Sequence, residues 1–378
     1  MTTTDAGTQI ANPWWDGAYD RWLATQDVPV HTGYYVEDFR TLERGWWPLR
    51  GCPAVILNLA GHRGVTEARV LEVPPGQTIP PFRMALEEII YVSEGQGLAT
   101  VWAEGHPKVT FEWQKHSLFR IPNNYFYQLA NTRGDQPALT LHTSYLPLAM
   151  STNPNADYFF RNPYVDTREL YGADGTFYSG AARAVRAEHN RGGQTSTSET
   201  WYANFFPDLT VWDNLAAYGG AGRLAYSGGV QFPNSAVRTG LMVLPSRRYR
   251  TAHRHGPGVT IVGIQKAEGF VIMWPEGGDY IVAPWQEGAV FVPPNQWYHM
   301  HLNAGPVENR QLRIFPPQPL MNYTAPDPKK QIPFVEEDPW IRRKFEEELA
   351  KRGLTSLMPP EAYTDPDYVW DEEWLKGD

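Results

Sequence analysis

The chain contains an internal duplication of a segment built from short apolar runs and turns. YVSEGQGLATVW (91–102) aligns with GIQKAEGFVIMW (263–274), and HSLFRIPNNYFYQLAN (116–131) aligns with GAVFVPPNQWYHMHLN (288–303). Apolar residues alternate with polar ones along both copies, which is the pattern of half-buried β-strands. A repeated β unit of this kind predicts two similar barrels or sandwiches in one chain.

The duplication divides the sequence into five segments and predicts an all-β fold. We expect an aromatic-rich arm (1–53), a first barrel (54–150), a linker with a short helix (151–225), a second barrel (226–320) and a tail with a helix (321–378). The two barrels account for about half of the chain. The remaining segments therefore have to pack on them or on another subunit.

Two helices are predicted outside the barrels. Alanine and arginine favour a linker helix over GAARAVRAEHN (180–190). The tail helix is predicted over EEDPWIRRKFEEELAKRG, with Pro339 near its start and Gly353 where it stops. The arm is rich in tryptophan, and such apolar surface favours packing on a barrel or on a second subunit. These tryptophans are Trp14, Trp15, Trp22, Trp46 and Trp47.

Composition excludes several classes of partner. The formal charge of −9 argues against nucleic acid or an anionic membrane. Cys52 is the only cysteine, so nothing in the sequence indicates an oxidising compartment. The start, MTTTDAGTQIANPWWDG, does not read as a signal peptide, and no apolar run approaches the ~18 residues that cross a bilayer. We therefore expect a cytoplasmic protein.

Histidines cluster in the second repeat. His253 and His255 stand one residue apart in TAHRHGPG, and His299 lies in the later predicted strand YHMHLN. Residues two apart on a β-strand point to the same face, so both imidazoles of the pair face one side of the sheet. A further histidine from another strand of the same barrel gives three imidazoles that converge in its interior.

The repeated unit resembles the cupin superfamily, and the whole chain resembles a bicupin. The first motif of the family contains a His-x-His pair followed by a glutamate, and the second contains a Pro-x-Gly turn followed by a histidine and an asparagine. His253 and His255 match the pair, His299 matches the third histidine, and Asn303 matches the asparagine. The resemblance implies two cupin barrels, the second of which binds a metal ion through these three histidines.

The second repeat departs from the family at three positions. Arg247 and Gln296 stand where the family has glycine, and Thr260 stands where it has glutamate. Three neutral imidazoles leave the full charge of a divalent ion uncompensated. Such a site favours anionic, bidentate substrates, for example a phenolate with a neighbouring carboxylate.

The first repeat has lost the metal ligands of the family. Phe82 and Met84 stand in place of the histidine pair, Tyr127 stands in place of the third histidine, and Glu88 is retained. A carboxylate with a thioether and a phenol is a poor site for a divalent metal. We expect this barrel to be free of metal, and either to be structural or to enclose an apolar cavity.

Five further residues are candidates for the site. His301 has the same strand parity as the third histidine and is either a competing ligand or a proton-transfer group. Arg250 and Arg313 are candidates for binding a substrate carboxylate, because a guanidinium matches a carboxylate with two hydrogen bonds. Gln265 and Trp297 are predicted to line the pocket.

Within the superfamily, the chain most resembles gentisate, salicylate and 1-hydroxy-2-naphthoate dioxygenases. The resemblance implies an Fe(II)-dependent enzyme that uses O₂ to cleave a hydroxylated, acidic aromatic substrate. Mn, Ni, Zn and Cu stay open as alternatives to iron. A non-redox metal-dependent isomerase, lyase or decarboxylase, and a non-enzymatic bicupin that binds a small molecule, are the alternative functions. The aromatic arm favours a homo-oligomer, a dimer or a tetramer.

Overall fold

The protein is described by a computed structural model that covers residues 17–191, 194–212, 216–218, 225–317 and 331–370. Strands dominate it. The strands of the first half are β1 Val30–Gly33, β2 Tyr35–Val36, β3 Gly45–Trp47, β4 Cys52–Leu59, β5 Glu67–Val73, β6 Glu88–Glu94, β7 Gln96–Trp102, β8 Val109–Gln114, β9 Leu118–Ile121, β10 Phe126–Asn131 and β11 Ala138–Ser144.

The strands continue through the linker and the second half. They are β12 Arg183–Arg191, β13 Gln194–Tyr202, β14 Phe205–Phe206, β15 Ala216–Tyr218, β16 Ala225–Gln231, β17 Arg238–Leu244, β18 Arg248–Tyr249, β19 Ala252–His253, β20 Thr260–Gly263, β21 Gly269–Trp274, β22 Ile281–Trp285, β23 Val290–Phe291, β24 Tyr298–Asn303, β25 Asn309–Phe315 and β26 Gln331–Ile332.

Helices are short and lie outside the sheets. The α-helices are α1 Ala18–Leu23, α2 Leu146–Thr152, α3 Ala156–Phe160, α4 Arg168–Tyr171 and α5 Pro339–Ala350. Single 3₁₀ turns occupy Phe39–Thr41, Phe334–Glu336 and Pro360–Tyr363. In the part of the chain that the structure describes, no helix is long and apolar enough to cross a membrane.

Each half forms a barrel from one large and one small sheet. In the first barrel the large sheet has the order β1-β4-β5-β11-β6-β9-β14 and the small sheet the order β10-β7-β8. In the second barrel the large sheet runs β12-β13-β16-β17-β25-β20-β23-β2 and the small sheet runs β22-β21-β24-β19-β26. The prediction of an all-β fold with two cupin barrels is confirmed.

The two halves exchange edge strands. Strand β2, from the arm, pairs with β23 of the second barrel, where Tyr35 lies opposite Phe291. Strand β14, from the linker, pairs with β9 of the first barrel, where Phe205 lies opposite Phe119. Arm and linker are therefore built into both barrels. The predicted domain boundaries stay a prediction.

Apolar side chains fill three regions that position the site. One core fills the first barrel, a second fills the interior of the second barrel, and a third joins the facing large sheets of the two barrels. The core between the barrels includes Val55, Leu57, Leu118, Leu141, Val262, Val290 and Leu312. Because these residues come from both large sheets, the barrels are held together by the packing that stabilises each sheet.

The predicted linker helix is wrong. Residues 183–191 of that segment form β12, which pairs with β13 from Arg183 opposite Tyr202 to Arg191 opposite Gln194. The partner strand carries QTSTSETWY, rich in β-branched and aromatic residues that favour strands. Helix propensity is a weak preference, and pairing with such a strand overrides it.

The predicted tail helix is confirmed as α5. The carboxylate of Asp338 accepts a hydrogen bond from the backbone N–H of Trp340 at 2.8 Å, and Pro339 opens the helix. Gly353 follows the last turn with φ of 69°. The buried face of the helix packs on the outer side of β24 and on Tyr249. Its residues are Ile341, Phe345 and Leu349.

Most of the described tryptophans of the arm pack on the first barrel, as expected. Trp47 is fully buried in its core, and Trp22 stacks on Phe160 with ring centroids 5.3 Å apart. Trp46 is 61% exposed. Trp14 and Trp15 lie outside the described residues. Homo-oligomer formation stays a prediction.

Docking of the tail is expected to weaken as the pH rises. Burial is the largest cause that raises the pKa of Glu337 to about 8, although a hydrogen bond from Tyr249 at 2.6 Å opposes it. The folded state therefore holds a proton that the unfolded chain releases near 4.5, the ordinary pKa of a glutamate. The contribution of protonated Glu337 to the stability of the folded state is complete below that pH and is lost as the pH rises through about 8.

We expect Glu337→Gln to have a melting temperature that falls less than that of the wild type between mildly acidic and alkaline buffer. Glu336→Gln, an exposed neighbour, is the matched control and should follow the wild type.

Candidate metal centre

Four histidines converge inside the second barrel. Strand β19 pairs with β24 so that His253 lies directly opposite His299, with ring centroids 4.3 Å apart. The chain leaves the strand after His253, and the ring of His255 lies 4.7 Å from that of His299. His301 lies two residues along β24, with its ring centroid 5.7 Å from that of His299.

Three of these histidines form a group suited to a metal ion. One ring nitrogen each from His253, His255 and His299 lies within 4.8 Å of the others. Nδ1 of His255 donates to the carbonyl of Gly256 at 2.7 Å, and Nδ1 of His299 donates to the carbonyl of Trp297 at 3.4 Å. These hydrogen bonds place the protons on Nδ1 and leave Nε2 of both rings as a lone-pair donor.

Several of the ring nitrogens are buried without a hydrogen-bond partner among the described residues. They are Nδ1 of His253, Nε2 of His299 and Nδ1 of His301. A buried polar atom without a partner costs free energy, so a group that occupies these nitrogens stabilises the site. A divalent transition metal meets this need, because imidazole nitrogen is one of its preferred ligands.

The imidazoles are held in their neutral form. Burial is the main cause that lowers the pKa of His255 to about 4 and places those of His253, His299 and His301 well below the ordinary range. The positive charge of Arg250 lowers all four values further. Neutral imidazole is the form that binds metals, so at neutral pH no proton has to leave before an ion enters.

The strand registers of the two barrels confirm the alignment of the repeats at the third histidine position and at the terminal asparagine. In the first barrel Phe82 exchanges backbone hydrogen bonds with Tyr127, as His253 pairs with His299 in the second. The side-chain amide of Asn131 donates to three backbone carbonyls, at 3.1, 3.4 and 2.8 Å. That of Asn303 donates to the three equivalent carbonyls, at 3.0, 3.1 and 2.9 Å.

The same registers correct the position of the absent glutamate. Ile90 pairs with Phe119 in the first barrel, and Ile261 pairs with Phe291 in the second. The residue two before Ile90 is Glu88, so its counterpart is Val259 and not Thr260. Val259 is buried in the core of the second barrel. The acid position of the second barrel is therefore apolar, and the three-histidine group has no carboxylate there.

Thr260 points to the other face of its strand. Its hydroxyl lies 3.0 Å from Nε2 of His62, which belongs to the first barrel, and both side chains are buried between the barrels. Thr260 was assigned to the acid position by counting from the histidine pair. That count is one residue too long, because Val259 follows His255 by four residues just as Glu88 follows Met84, and a shift of one residue reverses the facing of a strand residue.

The two predicted arginines lie in the interior of the second barrel. The backbone N–H of Arg250 donates to the carbonyl of His301 at 3.3 Å, and its guanidinium lies 2.7 Å from the sulfur of Met242. Arg313 lies opposite Ile261, and its guanidinium donates to the hydroxyl of Ser227 at 2.7 Å. Both arginines lower the pKa of His301, after burial, so both positive charges act on the histidine cluster.

Trp297 lies beside the histidine cluster, whereas Gln265 lies in a loop near the other end of β24. Trp297 stacks on Tyr34 of the arm, with ring centroids 5.3 Å apart, and its carbonyl orients His299. Gln265 lies in the loop before Gly269, which pairs with Asn303 at the far end of β24. The amide oxygen of Gln265 is buried without a hydrogen-bond partner among the described residues, and its place in the pocket stays a prediction.

Comparisons with known proteins return matches of fold. No family model matches the sequence, and no curated protein matches it. Salicylate 1,2-dioxygenase from Pseudaminobacter salicylatoxidans is 13% identical, with a TM-score of 0.46, over 67% of this chain and 71% of its own. Oxalate decarboxylase from Lactobacillus farciminis is 13% identical, with a TM-score of 0.46, over 91% and 96%. The coconut allergen cocosin is 12% identical, with a TM-score of 0.46, over 85% and 97%.

The strand order and the matching registers of this chain show two similar β-barrels. Identities this low say nothing about activity, which has to be argued from the site itself. The site is asymmetric between the two barrels. Only the second barrel brings its aligned positions together as histidines.

The first barrel places a guanidinium group where the second has its histidine cluster. The guanidinium of Arg50 lies 3.9 Å from the ring centroid of Phe82 and donates to the hydroxyl of Tyr127 at 2.6 Å. The same hydroxyl donates to Glu88 at 2.7 Å. Arg50 and Glu88 themselves are 3.5 Å apart. The interior at this position holds charged groups, so the expectation of an apolar cavity is wrong, whereas the expectation that the barrel is free of metal stays a prediction.

This buried charge network extends through the first barrel. Its members are Arg50, Arg69, Glu67, Glu88, Tyr127 and His142. Arg69 bonds Glu67 and lies 3.4 Å from Glu88. Burial alone raises the pKa of Glu88, but Arg50, His142 and Arg69 together hold it well below its usual range. The carboxylate is therefore ionised inside the barrel.

Proposed function

We propose that this protein is an Fe(II)-dependent dioxygenase that cleaves a hydroxylated, acidic aromatic compound, with His253, His255 and His299 as the metal ligands. The observation that carries the proposal is the convergence of three neutral imidazoles on one point, that of His299 buried and those of His253 and His255 half-buried, with the apolar Val259 in the acid position. A bound Fe(II) ion supplies redox chemistry with O₂ and open coordination positions.

The charge in the barrel interior supports an anionic substrate. A divalent ion held by neutral ligands keeps its full charge, and the guanidinium groups of Arg250 and Arg313 add positive potential beside it. A phenolate with an adjacent carboxylate complements both sources of charge. The carboxylate fits the planar donors of either arginine, and the phenolate oxygen faces the histidine group.

His301 is suited to hold the phenolic proton. Its ring is buried and neutral, and it lies beside His299 and the ring of Phe291, with the latter centroids 5.3 Å apart. A neutral imidazole accepts a proton from a substrate hydroxyl and stabilises the phenolate that results. We therefore assign His301 to proton transfer and not to the ligand set.

Apolar side chains line the rest of the interior. They come from the central strands of the barrel and suit the faces of an aromatic ring. These residues are Val259, Ile261, Val271, Met273 and Phe291. Their burial also limits the access of bulk water to the cation site, which strengthens the electrostatic attraction of an anion.

Metal analysis and oxygen uptake test the proposal together. We expect protein loaded with Fe(II) to consume O₂ with a panel of hydroxybenzoates and to stop when O₂ is removed. Zn(II)-loaded protein should bind the same compounds without turnover. Absence of uptake across the panel with iron in place would contradict the dioxygenase assignment.

A non-redox enzyme is the second candidate. The uncompensated charge of a divalent ion on neutral ligands also suits Lewis-acid chemistry, as in an isomerase, a lyase or a decarboxylase. Turnover that continues without O₂, and that Zn(II) supports, would assign this class. A non-enzymatic bicupin would instead bind its small molecule equally well after the metal has been removed.

The arginines are expected to control substrate affinity. We expect Arg313→Met to raise KM, or Kd for a non-turned-over hydroxybenzoate, about 10- to 100-fold, because a hydrogen bond to a charged group contributes roughly 1.5–3 kcal/mol. Metal affinity should change little. Arg254→Met is the matched control, because that guanidinium pairs with the exposed Glu276 at 2.7 Å and lies over Tyr298, on the outer side of the small sheet. Equal effects of the two substitutions would contradict a carboxylate-binding role.

A further inference from the structure

His255 depends on a segment that is not itself held by regular pairing. Strand β19 ends at His253, and β20 begins at Thr260. The ring of His255 is oriented by the carbonyl of Gly256, within this connecting segment. The position of a ligating histidine is set by the group that accepts its other N–H. The carbonyl of His255 accepts a hydrogen bond from the N–H of Gln296 at 3.0 Å within the second barrel, and residues 256–260 add to this by directing the His255 lone pair through the carbonyl of Gly256.

That segment is held by the other barrel. The turn 60–66 joins β4 to β5 of the first barrel. Within the turn, Thr66 donates its hydroxyl proton to the carbonyl of Gly258 at 3.0 Å. In the reverse direction, the N–H of Gly258 donates to the carbonyl of Gly61 at 2.9 Å. The two bonds use both backbone polar groups of Gly258 and so hold the peptide units on either side of its Cα.

His62 supplies a third hydrogen bond across the interface. The backbone N–H of Leu59 donates to Nδ1 of His62, at 3.4 Å, which leaves the proton on Nε2. Nε2 then donates to the hydroxyl of Thr260 at 3.0 Å. His62 is fully buried, and burial lowers its pKa to about 3, so this arrangement is independent of pH in the neutral range.

The backbones of the two barrels lie so close together here that neither segment can shift. Gly258 has φ of +86°, and a Cβ at this position would lie 2.6 Å from Cγ1 of Val65. A Cβ at Gly61 would lie 2.1 Å from the carbonyl oxygen of Val292. Both glycines permit contacts between the barrels that no other residue allows without movement of the backbone.

We infer that the turn 60–66 of the first barrel positions His255 of the second through the hydrogen bonds of Thr66 and His62 to residues 256–260. This inference rests on the proposed metal site and deepens it. The first barrel, which lacks the histidine cluster, thereby takes part in forming the metal centre. His62 and Thr66 are positioning residues, since neither touches the ion or the substrate.

Cobalt binding by the full-length protein tests the inference without use of the reaction. We expect His62→Leu/Thr66→Val to weaken Co(II) binding about 10- to 100-fold, measured by chelator competition, because removal of contacts behind a ligating histidine has this effect. The visible d–d absorption of Co(II) should shift, since it reports ligand geometry. His62→Gln keeps a side-chain N–H donor and should recover most of the affinity.

Thr143→Val is the matched control. Thr143 is a buried threonine that lines the same small cavity between the barrels, but its hydroxyl donates within the first barrel, to the carbonyl of Ile89. A purely structural role of the interface predicts equal losses of stability for Thr66→Val and Thr143→Val, with the same Co(II) affinity and spectrum in both. Should the double variant His62→Leu/Thr66→Val fail to fold, Thr66→Val alone decides, because it removes one hydroxyl and keeps the shape of the side chain.

The outcomes separate this inference from the function on which it rests. A wild type that binds Co(II) with a histidine-type spectrum, together with variants that bind it identically, would overturn the positioning role alone. A wild type that binds no Co(II) would overturn the metal site and the positioning role with it. A selective change of affinity and spectrum in the His62 and Thr66 variants supports both.

Discussion

His299→Ala is expected to lower the affinity of the protein for Fe(II) or Co(II) by well over a hundredfold and to abolish turnover. His299 is fully buried, and its ring is the nearest neighbour of both His253 and His255. Loss of a contact that merely orients a ligand typically costs about 10- to 100-fold in affinity, so loss of the ligand itself should cost more. Chelator competition measures the affinity directly.

Thermal unfolding gives an independent measure of the same loss. An ion that binds only the folded state stabilises it by roughly 4 kcal/mol when present at about a thousand times its Kd. Chelation should therefore lower the melting temperature of the wild type and leave that of His299→Ala unchanged. His106→Ala removes an exposed imidazole that stacks on Tyr171 and should respond to chelation as the wild type does.

His301→Ala separates the two roles considered for this residue. As a proton-transfer group, His301 can be removed with loss of turnover while the protein keeps its metal affinity. A loss of affinity as large as that of His299→Ala would instead make His301 a fourth ligand. Retention of metal by His299→Ala itself would contradict the three-histidine assignment.

The repeat and its strand registers could be predicted from the sequence because they depend on local periodicity. Alternation along each strand placed His253 and His299 on the inner face, and the terminal asparagines make equivalent hydrogen bonds in both barrels. Asn131 and Asn303 each tie a strand end to three carbonyls, a role that the sequence marks by equal spacing in the two repeats. Such features need no knowledge of distant contacts.

The alignment of the repeats fails where the connections between strands differ in length. The second repeat has one additional residue after β20, between Val262 and Gly269, so counting back from Gly269 puts Thr260 instead of Val259 at the acid position. A shift of one residue in a strand exchanges its inner and outer faces, so counting across a connection is unsafe where counting along a strand is reliable. With either residue the acid position holds no carboxylate, because valine and threonine both lack one.

Partners that lie outside the two repeats, or fit no motif, could not be predicted. Arg50 belongs to the arm and has no place in either repeat, yet its guanidinium enters the first barrel beside Phe82. His62 fits no ligand pattern, and only the packed interface brings it to Thr260. The helix expected at 180–190 failed for a related reason, since a strand partner from elsewhere in the linker decided its structure.

Arg50→Met is expected to destabilise the protein by about 3–5 kcal/mol, the usual cost of removing one partner from a buried ion pair. The remaining network then holds the carboxylates of Glu67 and Glu88 against the single guanidinium of Arg69. His142, 3.5 Å from Glu88, can take up a proton to restore the balance. In the wild type, burial lowers its pKa to about 4, and Arg50 is one of the charges that keep it low.

The variant should therefore depend on pH in a way that the wild type does not. Without Arg50, the pKa of His142 rises, so the lost cation is partly replaced in mildly acidic buffer and not at all in alkaline buffer. The difference in unfolding free energy between wild type and Arg50→Met should be larger at alkaline than at mildly acidic pH. Urea titrations at the two pH values measure it. Adding His142→Asn to Arg50→Met should remove the pH dependence.

Two control variants show whether Arg50 stabilises the first barrel through its charge or through its volume. Arg168→Met breaks an exposed ion pair with Asp166 and should change stability by no more than about 1 kcal/mol. Arg50→Met/Glu88→Gln removes both buried charges and should be more stable than Arg50→Met alone, because the uncompensated carboxylate is gone. If the double variant were the less stable of the two, the guanidinium would matter for its volume, and the first barrel would not depend on a cation at the position where the second holds its histidines.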